Sequence, residues 1–146
     1  MLKFIKSRKS NSKRVEWMFA SDIKKRINKL VAGVNIDWIR TSGIYCFRSI
    51  NSKTRARARI WGLSRVWQMA LNTKPAYIIE VISEKFDNLS QHEQDQILLH
   101  ELAHIPKNFS GSLLPHIRYG KRSFRWKVDE LITRYIQSKK EKKERI

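Results

Sequence analysis

The segment from Ser90 to Pro106 constrains this chain more than any other, because it carries the boundaries of a helix and a chemistry on one face of that helix. Ser90-Gln91-His92-Glu93 has the capping-box spacing, in which the serine side chain and the glutamate three residues on satisfy each other's backbone donors. Pro106 disfavours helical geometry in the residue before it, so the helix is expected to run to about Ile105. Inside it stands His100-Glu101-Leu102-Ala103-His104. Residues four apart on a helix lie one turn above each other, so two imidazoles at this spacing can grip one divalent ion while Glu101 projects beside them. Leu98, Leu102 and Ile105 fall on the opposite side, which turns the histidine pair towards a cleft once that apolar face is buried. Zinc held in this way lowers the pKa of a water towards ~7, and the carboxylate can take its proton as the water attacks a carbonyl. The pattern points to peptide hydrolysis. The competing reading is two histidines that only cap or pack at a helix end.

Such a site needs a third ligand. His116 is the first choice, being close enough to return over a short loop in which Gly111 permits a sharp turn. Asp129 and Glu130 on the following helix compete for the same place, or else act behind a ligand imidazole or as surface charges. Arg118 and Tyr119 are candidates for stabilising the developing oxyanion, with an ordinary surface role as the alternative. His92, in the first helical turn, lies outside the cluster.

Composition narrows the rest. The 146 residues fit one domain, 41% of them apolar, and no apolar run approaches the ~20 residues that span a bilayer, so no membrane association is expected. The basic start, MLKFIKSRKSNSKR, lacks the apolar core of a secretory signal, which gives the expectation of an intracellular, cytoplasmic protein. Cys46 is the single cysteine, so an intramolecular disulfide and thiolate zinc clusters are excluded, and a metal must use His and carboxylates. The net charge of +18 makes nucleic acid, DNA or RNA, a natural neighbour, although a Lys-rich surface alone identifies no ligand. The oligomeric state is not readable from the chain.

Along the sequence, residues 1–14 read as a flexible basic arm, 15–138 as one domain and 139–146 as a charged, frayed tail. Val15, Phe19, Ile23, Ile27, Leu30 and Val31 recur at helical spacing and predict a first core helix ending at Gly33. Ile44–Ile50 reads as a strand. Thr54–Trp61 alternates strictly, which predicts a strand with Arg55, Arg57 and Arg59 as a ladder on one face, either a contact for phosphates or an acidic peptide or a solvated surface. Leu63–Leu71 reads as a short helix, and Tyr77–Ile82 as an edge strand able to align an extended peptide. A last helix is expected over Ser123–Ser138, with Phe124, Val128, Leu131, Ile132 and Tyr135 as its inner stripe. No internal repeat is present.

The longer metzincin motif is excluded, because Lys107 and Ser110 stand where it requires Gly and His. The run His100-Glu101-Leu102-Ala103-His104-Ile105-Pro106, followed by Phe109, Gly111 and His116, resembles the phage and archaeal metallopeptidase family with its HELxHIP core and later third histidine. Ala58-Arg59-Ile60-Trp61-Gly62-Leu63 and the segment Tyr77 to Glu84 are similar to it as well, so the likeness covers roughly residues 36–136. The chain departs from the pattern at Ser112, where a second glycine is expected. The resemblance implies an α+β fold, a small zincin-like domain with a mixed or antiparallel sheet of three to four strands packed with helices. It also implies zinc ligands at His100, His104 and His116, with Glu101 as the catalytic acid and base, acting on a protein or peptide substrate. A more distant likeness, to Spartan-type and SprT-like proteases that cleave proteins crosslinked to DNA, is an analogy of motif and charge. The rival reading is a basic nucleic-acid-binding protein whose zinc is structural or vestigial.

Overall fold

The structure, a computed structural model, describes residues 13–116 and 124–145. In chain order the elements are β1 (Glu16–Phe19), α1 (Ser21–Val34), a short 3-10 turn at Thr41–Gly43, β2 (Ile44–Ile50), β3 (Ala58–Gly62), α2 (Arg65–Leu71), β4 (Tyr77–Ile82), α3 (Ser83–Phe86), α4 (Gln91–Ala103) and α5 (Phe124–Glu144). The strands form one mixed sheet in the order β1-β2-β4-β3, with β2 parallel to β4 and the other two pairs antiparallel. This is the α+β arrangement that the resemblance implies. The alternation of side chains along a strand then sorts the sheet into two faces. Ile44 and Cys46 of β2, Tyr77, Ile79 and Val81 of β4, and Ala58 of β3 join Ile23, Ile27, Leu98, Leu102 and Leu131 of α1, α4 and α5 in one core. Each fully buried aliphatic or aromatic side chain there contributes about 1.5–3 kcal/mol. The helices therefore cover one face of the sheet.

Four expectations are corrected. The first helix does not start at Val15: residues 16–19 are β1, paired antiparallel with β2, and α1 begins at Ser21. Trp17 and Phe19 are β-formers, and Phe19 packs across the sheet on Phe47 at 4.6 Å between ring centroids. α1 ends at Val34, where Asn35, not Gly33, takes the left-handed conformation.

The alternating segment Thr54–Trp61 is a strand only from Ala58. Before it, the Ser52 hydroxyl accepts from the Thr54 N–H and the Thr54 hydroxyl from the Ala56 N–H, so local side-chain bonds capture donors that a ladder would need. Arg55 and Arg57 thus precede the strand, and the arginine ladder does not form.

Tyr77–Ile82 is internal, lying between β2 and β3, and the edges are β1 and β3. Its nearly continuous burial is that of an inner strand with a neighbour on each side. Finally, α5 continues to Glu144, so residues 139–144 are helical where fraying is expected, with the Lys139 ammonium 4.9 Å from the centre of the Tyr135 ring. The basic arm lies largely outside the described residues.

Candidate metal centre

The site is set first by the two ends of α4. At its start the capping box forms in full, with the Glu93 N–H donating to Ser90 Oγ at 3.2 Å and the Ser90 N–H donating to Glu93 Oε2 at 3.1 Å. At its end the helix closes after Ala103, and His104 is the C-cap residue at φ −70°, ψ −14°. Leu98, Leu99, Leu102 and Ile105 are fully buried, which fixes the rotation of the helix and sets His100, half-buried, and His104, buried, on a common side.

The loop that brings back His116 is held at several points. Gly111 has φ +93°, and a Cβ there would run into the Leu63 carbonyl and the Gln68 side chain. The Gly111 N–H donates to the Tyr77 hydroxyl at 2.8 Å, and that hydroxyl donates to the Ser112 carbonyl at 2.9 Å. The buried Gln68 amide donates to the carbonyls of Leu63 and Ser110, both at 2.8 Å. Ser112 is not among the residues with positive φ, so a side chain is accommodated where the resemblance led to the expectation of a glycine. Leu114 completes the return: its N–H donates to the His104 carbonyl at 2.8 Å, and its own carbonyl accepts from His104 Nδ1 at 2.6 Å. A carbonyl can only accept, so Nδ1 carries the proton and Nε2 is left as a lone-pair donor for a cation.

His100, His104 and His116 offer ligand nitrogens that all lie within 4.8 Å of one another. His100 Nε2 and His116 Nε2 are 3.2 Å apart. Two nitrogens at about 2.0–2.1 Å from one tetrahedral zinc are about 3.3 Å apart, so this spacing fits a shared ion. Phe124, the first residue of α5, stacks on His104 at 4.1 Å with the rings 22° apart, and stands 5.0 Å and 4.7 Å from the rings of His100 and His116. It forms an apolar wall behind all three imidazoles.

Burial gives the site its electrostatics. The His100 imidazole is pushed down to about 4, chiefly by desolvation, with the neighbouring His104 and His116 adding to the effect. His104 is lowered by desolvation too, against the opposing hydrogen bond to Leu114. Glu101, almost wholly buried, is pushed up to about 7 by desolvation alone. The imidazoles therefore favour the neutral, ligating form. His100 and Glu101 open on a cleft of 490 Å³ lined also by Arg57, Ala58, Gln96, Val128 and Ile132, so the edge strand β3 forms one of its walls.

The other sequence candidates fall in different places. Asp129 and Glu130 are not in the cluster: Glu130 pairs with Arg134 at 2.9 Å, and the Asp129 carbonyl accepts from Thr133. Arg59 is bound through Nε to Glu80 at 2.9 Å, Arg55 is exposed, and Arg57 reaches the cleft. Arg118 and Tyr119 lie outside the described residues. His92 is exposed, as expected, and contacts Gln96. Tyr77, Gln68, Leu114 and Phe124 were not legible as parts of the site. Phe124 alone carried a signal, as a core position close in sequence to the third histidine.

The three histidines, two on α4 and one on the return loop, could hold a metal ion, and the buried Glu101 is the neighbour of the first in the chain. The chain belongs to the family described as putative phage metallopeptidase, whose model matches residues 15–137. No curated protein and no solved structure matches it. Among the described residues, no helix is long and apolar enough to cross a membrane.

Proposed function

We propose that the protein is a zinc-dependent peptidase in which His100, His104 and His116 hold the ion and Glu101 is the general base and acid. The observation that carries this reading is the convergence of three ring nitrogens within 4.8 Å beside a glutamate that opens on the same cleft. The donor set suits zinc, since imidazole is a favoured ligand of that ion and the single thiol, Cys46, is buried in the core. When bound, zinc supplies Lewis acidity and lowers the pKa of a water to about 7.

The chain's own groups do the remainder. The Glu101 carboxylate, made more basic by burial, would accept a proton from the attacking water and return it to the leaving amine. Phe124, stacked on His104, backs the imidazoles and holds their rings in place. The edge strand β3, in place of β4, offers main-chain groups to an extended peptide, and Arg57 stands at the cleft wall to meet a carbonyl or carboxylate of that peptide.

A structural zinc takes four protein ligands. Only three donors converge among the described residues, and residues 1–12, 117–123 and 146 contain no His, Cys, Asp or Glu to provide a fourth. This supports hydrolysis over the rival reading. Metal analysis of purified wild type and His116→Ala, with a casein or peptide cleavage assay, tests the proposal. Near-stoichiometric zinc in the wild type, reduced in the variant, and cleavage by the wild type are expected. A metal-replete protein that cleaves no peptide would overturn the catalytic reading.

A further inference from the structure

The face of the sheet turned away from the helices carries a set of side chains that the peptidase reading does not use. The registers place Trp17 beside Ser49, Phe19 beside Phe47, Glu80 and Arg59, and Tyr45 beside Ile78 and Trp61. All of these alternate with the core-facing residues of the same strands, so they share the outer face. The aromatic members are large and open to solvent: Phe19 is 79% exposed, Trp17 57%, Tyr45 51% and Trp61 47%. Aromatic side chains so exposed on all but the central strand are not explained by the stability of the domain.

The middle of this face is polar. Arg59 and Trp61 both donate to Glu80, at 2.9 Å each, and the Arg59 guanidinium lies 4.7 Å over the Trp61 ring. Cations stand at both ends of the aromatic rows. At one end is the exposed Arg14, three residues before Trp17, its main chain fixed at the foot of the β1–β2 pair by a hydrogen bond from Asn51. At the other, Arg40 and Lys74 line a 330 Å³ pocket together with Tyr45 and Leu71.

These observations select one occupant. A second copy of the chain would bring +18 against +18, which opposes self-association through this face. A lipid surface would have to bury the Glu80–Arg59 pair in an apolar medium, which is costly for charged groups. A single-stranded nucleic acid meets neither obstacle: its bases stack on exposed rings, its polar edges tolerate the central row, and its phosphates match cations at the two ends. We propose that the outer face of the sheet, through Trp17, Phe19, Tyr45 and Trp61, is a stacking platform for single-stranded DNA or RNA. The platform lies across the sheet from the histidine cluster, so an occupied platform leaves the cleft free. This inference holds independently of whether the histidines carry a metal.

The test uses the full chain and a fluorescein-labelled 20-nucleotide oligodeoxythymidine read by anisotropy, with a duplex of the same length as competitor. Phe19→Ala, Tyr45→Ala and Trp61→Ala should each weaken binding by about 5- to 150-fold, the range expected for loss of one base–aromatic stack. Tyr45→Phe and Trp61→Phe keep a ring at each position and should retain most of the affinity, which separates stacking from any effect of misfolding. The single strand should also quench tryptophan emission, less in Trp61→Phe than in the wild type. Lys142→Ala, at the far end of α5, should lower affinity only slightly and through the salt dependence. A triple alanine variant, shown folded by circular dichroism, that binds the oligonucleotide as the wild type does would overturn the proposal. So would equal or tighter binding of the duplex, or a wild-type dimer in sedimentation that the triple variant abolishes without any oligonucleotide affinity.

Discussion

Glu80 and Glu101 are both buried carboxylates, and the protein treats them in opposite ways. Glu80, on the outer face of β4, receives Arg59 and Trp61; burial alone would raise its pKa, and these donors hold it below the ordinary carboxylate value. Glu101, on α4, meets no such donor among the described residues, and burial raises it to about 7. The first carboxylate is satisfied by the fold, and its ion pair fastens the edge strand to the centre of the sheet. The second is left with a raised proton affinity, which on the proposed reading suits a general base. Burial is thus common to both, and the partners decide whether a carboxylate is structural or reactive.

The largest expected effect falls on the reactive side. Glu101→Gln should lower kcat by about 10²- to 10⁴-fold while bound zinc, measured by metal analysis, is retained. Retained cleavage in a zinc-replete Glu101→Gln protein would remove the contrast between the two glutamates. Next, Gly111→Ala should cost about 2–4 kcal/mol in urea unfolding and weaken zinc binding. Its positive φ is strained for alanine, and the new Cβ meets Leu63 and Gln68. Unchanged metal affinity would mean that the return loop does not set the third ligand.

On the structural side, Glu80→Gln should cost about 1–3 kcal/mol of stability and leave zinc content and cleavage unaltered. The pH dependence follows from the sign of the shift. A carboxylate whose folded pKa is depressed adds stability that is fully present above its ordinary value of 4.5 and is lost as pH falls through the folded value. The wild type should therefore lose stability more steeply than Glu80→Gln below pH 4.5, as followed by circular dichroism during acid titration. The smallest effect belongs to Arg134→Ala. This removes an exposed pair with Glu130 and should change the unfolding free energy by no more than about 0.5 kcal/mol. A larger loss would give Glu130 a role beyond that pair.

The parts of the site that were legible in sequence are those fixed by local periodicity. The capping box, the apolar face of α4 and the four-residue spacing of His100 and His104 are properties of one helix, and each is present in the structure. His116 was legible as a nearby donor beyond a glycine turn. Tyr77, Gln68 and Leu114 were not, because they act through hydrogen bonds made only when distant segments meet. The same limit explains the errors in the fold. Val15, Phe19 and Ile23 keep helical spacing across the junction of β1 and α1, so periodicity does not see the break. Alternation runs on from Arg55 to Trp61, but the hydroxyls of Ser52 and Thr54 decide where pairing begins. The place of β4 at the centre comes from a crossover connection, which no pattern within the strand records.

His104 is clasped by Leu114 through both its main chain and its ring, so the tautomer needed for ligation is set before any ion arrives. Loading and stripping are then exchange reactions on a standing scaffold, distinct from the coupled folding of small zinc modules whose core is the metal itself. On the proposed reading, a chelator would abolish cleavage while the circular dichroism spectrum stays in place, and added zinc would restore it without refolding.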